Sequence, residues 1–372
     1  MRQGPIATGL VAGIYALAWN AAAQPAQTLV RPQDISFRQE VQHAIDQGVQ
    51  WLQSNQNSKG WWSTADQPAV TALALSALMG EPSGALRANP SSGIARGYKF
   101  VTDHAKPDGS IYEKGLMNYN TSICMMGLMV ARNPQYDPVL RKARQWLISR
   151  QVDLYDHSDM NTTMTALEAL YYSNYLEPTG DKSPAGAKDF NWAAAIHFIE
   201  SCQNLPACNK EPWVSTETRD KGGFVGEPGN SKAGAMTNAE GRTTLRSYGS
   251  MSYAGLLGYV YAGLKPDDPR ILAVYDWLRN NFTLDENPGM GQQDLYYYLH
   301  LMTKALAIYG IDQLPLKDGQ TVDWRREVAM KLINLQKADG SWVNQNSRWR
   351  EQDPALVTSY SVISLEILYR GL

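Results

Sequence analysis

One pattern recurs six times along this chain and limits how it can fold. Each copy opens on polar residues and continues as a helical run that is apolar on nearly every side. Such a helix has to be buried, because none of its faces is suited to water. The copies begin near Gln67, Tyr119, Asp159, Tyr248, Asp294 and Pro354.

A more amphipathic segment precedes each copy. In the first of them, Val41, Ile45, Val49 and Leu52 fall at helical spacing. We therefore predict an outer helix before each inner helix. The predicted outer helices cover 36–56, 93–104, 138–151, 191–203, 268–281 and 323–337. A long Gly-rich insertion at 204–245 interrupts the series.

A helical pair that cannot bury its own apolar face must stack on its neighbours, either in an open solenoid or in a closed ring. Open solenoids end in polar capping repeats, but here the first and last inner helices are as apolar as the others. The pattern favours a single all-α domain over 36–372, an (α/α)6 toroid with parallel inner helices. Residues 24–35 are predicted to be a loose lead-in.

The N-terminal residues 1–23 read as a signal peptide. Arg2 is followed by an apolar run at 6–19 and by small residues at 21–23. The run is shorter than the roughly 20 residues that span a bilayer. We expect a protein exported to the periplasm or the extracellular space. There, Cys202 and Cys208 have a spacing that permits a disulfide, although spacing alone leaves the bond open.

The composition limits the class of ligand. The formal net charge is -2, so nothing favours binding to nucleic acid. The chain holds 11 Trp and 20 Tyr, side chains that suit both cores and cavity walls. The sequence predicts no metal ion and no cofactor.

The turns after two outer helices carry a more specific pattern. Leu-x-x-x-Gln-x-x-x-Gly-x-Trp occurs from Leu52 and again from Leu332, with degenerate copies at 106–111 and 222–224. This pattern resembles the Gln-Trp repeat of squalene-hopene and oxidosqualene cyclases, to which the repeats of protein prenyltransferase β subunits are related. The resemblance covers nearly the whole predicted mature chain. It implies a toroid with an apolar central cavity that takes an isoprenoid or a similar apolar molecule.

The chain departs from that family in the catalytic motif. Class II cyclases carry Asp-x-Asp-Asp-Thr at the start of an inner helix, and the middle acid protonates the substrate. The matching run here, DMNTT from Asp159, keeps the first acid but places Asn161 at the donor position. An amide is not a Brønsted acid of useful strength. The Asp and Cys that bind zinc in prenyltransferases are also missing near Tyr248.

Parallel inner helices would bring their N-termini together at one mouth, and we predict the site there. The candidate catalytic residues, in order of preference, are Asp159, Asp294 and His300. The candidate substrate-binding residues are Asn161, Thr162, Tyr119, Asn120, Tyr248, Gln293, Tyr296, Tyr297, Asp66 and Asp353. Acids at such positions are also ordinary helix caps, and the sequence leaves both interpretations open.

Three functions fit these observations. The first is a cyclase-type isomerase acting on an isoprenoid, using an unfamiliar acid. The second is a non-catalytic toroid that binds a lipid or a protein segment, which the loss of the usual acid favours. The third is a carbohydrate-active toroid. An apolar small molecule is the expected partner in the first case, and peripheral association with a membrane is compatible with it.

Overall fold

A computed structural model describes residues 32–151, 159–176, 190–239 and 241–372. The predicted signal peptide at 1–23 and most of the predicted lead-in lie outside these residues. The outer helices are α1 (Pro32–Ser54), α4 (Ser92–Asp103), α6 (Asp137–Ser149), α8 (Trp192–Ser201), α10 (Pro269–Asn280) and α12 (Trp324–Leu335). The inner helices are α2 (Pro68–Gly80), α5 (Met117–Val130), α7 (Met160–Tyr172), α9 (Gly249–Tyr261), α11 (Leu295–Tyr309) and α13 (Pro354–Gly371). A short helix, α3 (Ala85–Ala88), follows α2.

The inner helices form a closed ring. Each packs against the next in chain order, and the last, α13, packs against α2. The first outer helix, α1, lies against α13 as well as α2, so the two ends of the chain meet. The predicted all-α toroid is therefore confirmed.

Burial follows the sequence pattern that predicted these helices. Every residue of α2 is buried, as the all-round apolar pattern requires. On α1 the buried side chains include Val41, Ile45 and Leu52, one face of an amphipathic helix. The inner helices thus form the core, and the outer helices shield it from water.

The turn pattern makes the same contacts in its two full copies. In the first, the Gln56 side-chain amide donates to the carbonyls of Gly60 and Gly93, each at 2.8 Å. The indole N–H of Trp62 donates to the Leu52 carbonyl at 2.7 Å. Gly93 lies in the first turn of α4, so the glutamine ties one repeat to the next.

The last copy closes the ring in the same way. The Gln336 amide donates to the carbonyls of Gly340 and Ala44, each at 3.0 Å, and Ala44 lies on α1. The Trp342 indole donates to the Leu332 carbonyl at 2.7 Å.

A third glutamine serves the degenerate copy of the pattern at 222–224. The Gln203 amide donates to the carbonyls of Gly222 and Arg270, each at 3.0 Å. It ends the fourth outer helix, and its turn glycine lies 19 residues away, beyond part of the insertion. The fixed four-residue spacing that identifies the other copies is therefore absent here.

The insertion contains a small hairpin. Strands β1 (Ala235–Thr237) and β2 (Thr243–Leu245) pair antiparallel. A second pair, β3 (Leu314–Pro315) and β4 (Thr321–Val322), precedes α12. These strands are only two or three residues long, which explains why the sequence showed little strand pattern.

A buried amide joins the two ends of the insertion. Asn204 donates to the Leu245 carbonyl at 2.9 Å and accepts the Ser215 N–H at 2.8 Å. Cys202 and Cys208 are both free thiols, so the disulfide that their spacing permits is not formed. Among the described helices, none is long and apolar enough to cross a membrane.

We predict that Gly60→Ala destabilises the protein far more than Gly319→Ala. Both glycines have positive φ, +109° and +86°, so alanine at either site costs about 1–2 kcal/mol. A Cβ at Gly60 would also lie 2.5 Å from the Arg96 carbonyl oxygen, whereas nothing lies within 4 Å at Gly319. That close approach should cost about 1–3 kcal/mol more. Urea unfolding measures the difference, and equal losses would contradict the role assigned to the turn.

Candidate functional site

A cavity of about 540 Å³ opens at the end of the ring where the inner helices begin. Its volume falls in the range of about 300–1,000 Å³ that is typical of small-molecule sites. The described lining residues from helices or their caps are Gln67, Ala69, Val70, Tyr119, Asp159, Asn161, Thr162, Tyr248, Met251, Asp294, Tyr297, Leu356 and Tyr360. Leu116, the cap residue of α5, also lines the cavity, and the residues from loops are Lys232, Met290, Ser347, Trp349, Arg350 and Glu351. Every inner helix therefore contributes to one site, as the sequence predicted for parallel helices.

Three tyrosines form the floor of this cavity. The hydroxyls of Tyr119 and Tyr360 are 3.1 Å apart, and the Tyr297 hydroxyl donates to the side-chain oxygen of Asn161. The rings of Tyr297 and Tyr360 have centroids 5.6 Å apart. Burial raises the pKa of all three phenols, so they stay neutral. The floor is aromatic and its hydroxyls are satisfied within the protein.

The interior below the tyrosines is nearly filled. The same three tyrosines line a second pocket of only about 30 Å³. This pocket has room for about one water molecule. There Lys304 donates to the Glu168 carboxylate at 2.6 Å, an ion pair that joins α11 to α7 across the ring. The space directly below the three tyrosines therefore has no room for a ligand of the main cavity.

Asp294 differs from every other acid of the cavity. It occupies the cap position of α11, but its backbone is left-handed (φ +64°) and its side chain makes no capping hydrogen bond. A non-glycine residue in this conformation is uncommon, and such residues cluster at functional sites. The side chain keeps some accessible surface because it lines the cavity.

The surroundings of Asp294 keep its carboxyl protonated. Burial, and secondly the negative charge of Glu351, raise the pKa of Asp294 to about 8. The charge of Lys232 and a hydrogen bond from Ser250 act in the opposite direction. At neutral pH this group is mostly a neutral carboxylic acid beside an apolar cavity, which is the state that a proton donor requires.

Asp159, the first catalytic candidate from the sequence, is a helix cap. One carboxylate oxygen accepts the Thr162 N–H at 2.9 Å, and the other accepts the Thr162 hydroxyl at 2.7 Å. It lines the cavity, but both of its oxygens are occupied. Capping is therefore the interpretation that the geometry favours for this acid.

Seven of the thirteen candidates line the cavity: Asp159, Asp294, Asn161, Thr162, Tyr119, Tyr248 and Tyr297. Six do not: Asn120, Gln293, Tyr296, His300, Asp66 and Asp353.

Each of the best-defined exceptions has an identifiable local role. His300 lies one turn deeper, 3.1 Å from the Ser364 hydroxyl, and burial lowers its pKa well below the usual value. Asn120 accepts the Ala69 N–H at 3.3 Å. Asp353 caps α13, and Asp66 accepts from the hydroxyl of Thr64.

Sequence reasoning missed the loop contributions to the cavity. Lys232 comes from the insertion, and Trp349, Arg350 and Glu351 come from the loop before α13. The Lys232 ammonium lies 4.1 Å from the centre of the Trp349 ring, so the two loops meet across the mouth. The run RWRE that ends at Glu351 was the available signal, since it places charge beside an aromatic residue just before an inner helix.

No metal site is found in the part of the chain that the structure describes. Nowhere in it do three His, Cys, Asp or Glu side chains lie close enough together to hold an ion.

The comparisons with known proteins concern the fold. No protein-family model and no curated protein sequence matches this chain. Among solved structures, an apo variant of the type II terpene cyclase MstE from Scytonema matches with a TM-score of 0.56 and 11% identity. The match covers 91% of this chain and 99% of that one.

Two liganded MstE structures also match. A variant in complex with geranylgeranyl dihydroxybenzoate, its substrate, has a TM-score of 0.54 and 11% identity. Another in complex with merosterolic acid A, its product, has a TM-score of 0.52 and 12% identity. Each covers 91% of this chain and 99% of the matched chain. The chain thus has a terpenoid cyclase-like fold, as the resemblance implied.

We predict that Asp294→Asn changes how stability depends on pH. The folded pKa of about 8 lies above the value of about 3.9 in unfolded chains. The native state therefore binds the extra proton between these values, and the wild type loses stability as pH rises through this window. Asparagine does not titrate and tolerates the left-handed backbone.

The variant should accordingly gain stability relative to the wild type between pH 5 and pH 8.5. Urea unfolding at the two pH values measures this gain. Asp318→Asn, a change at an exposed acid far from the cavity, is the control and should run parallel to the wild type. The prediction fails if the Asp294 variant runs parallel as well.

Proposed function

We propose that this protein is a protonation-initiated terpenoid cyclase, an isomerase for an isoprenoid or similarly long apolar substrate, with Asp294 as the proton donor. The observation that carries the proposal is the neutral carboxyl of Asp294, free of any cap bond, at a tyrosine-floored cavity of about 540 Å³.

The reaction needs no co-reactant. The O–H bond of Asp294 breaks and its proton adds to an alkene carbon or an epoxide oxygen of the substrate. The resulting carbocation is attacked by further double bonds of the same molecule, which forms the rings. A different proton then leaves the cyclised cation, and the donor is restored by solvent. Substrate and product are isomers.

The tyrosine floor can stabilise the carbocation that forms after protonation. A raised pKa keeps the proton on Asp294 but makes it a weaker acid, so the cation must be stabilised elsewhere. Aromatic ring faces attract cations, by about 2 kcal/mol or more where water is excluded. The rings of Tyr119, Tyr297 and Tyr360 lie at the cavity floor and are held in place by their own hydroxyl contacts.

The choice of an isoprenoid rests on the walls and on the fold. Met251, Met290, Val70 and Leu356 supply apolar surface to the cavity. MstE, which shares the fold, is named as binding a geranylgeranyl substrate. The Gln-Trp turn pattern supports the squalene-cyclase branch of this fold in particular.

The test compares two acids. Asp294→Asn should reduce cyclisation at least 100-fold, since general acid catalysis typically contributes 10²–10⁴-fold. Asp159→Asn should retain both turnover and stability, since an asparagine oxygen can accept the same Thr162 N–H at the cap. The assay incubates squalene and geranylgeranyl dihydroxybenzoate in D₂O and detects cyclised products that carry one carbon-bound deuterium by mass spectrometry. Oxidosqualene is scored by chromatography of the cyclised isomer, because a deuteron added to the epoxide oxygen exchanges out of the product hydroxyl. If only the Asp159 variant lost turnover, Asp159, the first candidate from the sequence, would be the proton donor.

A non-catalytic lipid-binding toroid is the second candidate. It is favoured by Asn161, an amide at the donor position of the cyclase motif, whose oxygen accepts from Tyr297. A binder would take up the same compounds unchanged. The carbohydrate-active alternative has less support, since the one Trp among the described cavity residues is Trp349 at the rim.

We expect native mass spectrometry of the protein purified from its own cell fraction to show a co-purifying isoprenoid or lipid. A bound apolar ligand with no turnover would support the binder. A protein that carries nothing and takes up none of the three compounds would contradict both candidates.

Export remains part of the proposal. Fractionation of the native host should place the protein in the periplasm or the medium, with residues 1–23 removed. A cytoplasmic protein that retains Met1 would overturn it.

A further inference from the structure

Two carboxyl groups compete for the N-terminus of α11. The first N–H groups of a helix have no partner within it and are usually capped by the residue at the cap position. Asp294 holds that position but does not cap. Instead the Glu351 carboxylate accepts the Tyr297 N–H at 2.8 Å, from a position 54 residues further along the chain. Glu351 is only 1% exposed.

Glu351 is fixed by a second residue of its own loop. The Asn344 side-chain amide donates to the other Glu351 oxygen at 2.6 Å and to the Gln292 carbonyl at 2.8 Å. The Asn344 backbone N–H donates to the Glu351 carbonyl at 2.8 Å. The loop before α13 is thereby bound to the loop before α11, and the carboxylate has little freedom to leave the helix end.

We infer that Glu351 is a positioning residue of the proposed cyclase site, which caps α11 in place of Asp294 and so leaves the Asp294 carboxyl free to face the cavity. The geometry is an exchange of roles between neighbouring acids. Were Asp294 to cap its own helix, its backbone would take an extended conformation and its oxygens would be occupied, as those of Asp159 are.

The exchange also decides which acid holds the proton. Asn344 and the backbone N–H groups of α11 favour the ionised form of Glu351, against the burial that raises its pKa. Asp294 has one hydrogen bond in its favour, from Ser250. Burial raises the pKa of both acids, but Glu351 has several donors to its ionised form and Asp294 has one, so the proton stays on Asp294.

Other charged and titratable groups face Asp294 from each neighbouring element. Lys232 of the insertion opposes the effect of Glu351. The phenols that interact with Asp294 come from α5, the cap of α9, α11 and α13, and they are Tyr119, Tyr248, Tyr297 and Tyr360. Asp159 and Arg350 line the same cavity. Of these groups, Glu351 is the one that raises the pKa of Asp294.

The inference rests on the proposed function only in calling this cavity a cyclase site. Its test follows the protonation of Asp294 and does not need turnover. The full-length mature protein is labelled with ¹³C-carboxyl aspartate, and the Asp294 carboxyl band is followed by infrared spectroscopy against pH. Asp294→Asn identifies the band. Glu351→Gln keeps an oxygen for the Tyr297 N–H but removes the charge. The pKa of Asp294 should then fall from about 8 by at least about one pH unit.

The matched control is Glu366→Gln. Glu366 is fully buried like Glu351, but it lies on α13 far from the cap of α11. This variant should leave the Asp294 titration unchanged. If Glu351→Gln does not fold, Asn344→Ala serves instead, since it removes a donor from Glu351 and should lower the pKa of Asp294 in the same direction.

An unchanged Asp294 titration in folded Glu351→Gln would overturn the role of the Glu351 charge, and an Asp294 that keeps its left-handed backbone in Glu351→Ala would overturn the capping exchange. A crystal structure of Glu351→Ala tests the geometry separately, and Asp294 should turn back to cap α11. A lowered pKa in a protein that never cyclises any compound would sink the proposed function and leave the role of Glu351 standing. In an active enzyme, the basic limb of the kcat profile should move down together with the pKa.

Discussion

The ring depends on one repeated hydrogen-bonding device, a glutamine side chain that ends an outer helix and donates to two carbonyls. Gln56 and Gln336 each bond the glycine of their own turn and a carbonyl of the following outer repeat. Because the partner of Gln336 is Ala44 on α1, the last repeat is joined to the first. The second carbonyl in each pair belongs to the neighbouring outer helix, so each glutamine holds adjacent repeats in register.

Closure of the ring is what creates the site. Parallel inner helices bring their N-termini to one end, where partial positive charge and orphan N–H groups attract carboxylates. Most acids there are consumed as caps, as Asp159 and Asp353 are. Asp294 does not cap its helix, because Glu351 accepts the N–H at that helix end instead. The neutral Asp294 carboxyl beside the apolar cavity is thus explained by helix capping, since Glu351 has replaced Asp294 as the cap of α11.

Helical periodicity and the motif resemblance differed in how accurately they predicted the structure. Helical periodicity located the helices to within a few residues; α6, for example, was expected over 138–151 and covers Asp137–Ser149. The resemblance to the cyclase motif predicted the site residues less accurately. It ranked Asp159 above Asp294, because DMNTT resembles a cyclase motif whereas nothing local distinguishes Asp294. His300, the third catalytic candidate from the sequence, lies one turn further along α11 than Tyr297. That turn moves its side chain from the cavity to the space below Tyr297.

The sequence by itself determined the helices, their inner and outer roles, the closed ring and the end of the ring at which a site would lie. These properties follow from periodicity and from local turn chemistry, which act over a few residues. Only the tertiary structure decided which acid is free and which residues close the mouth. Glu351 reaches α11 from 54 positions away, and Lys232 meets Trp349 from a different loop. The protonation of Asp294 depends on burial and on the charges of those neighbours, and no spacing along the chain records either.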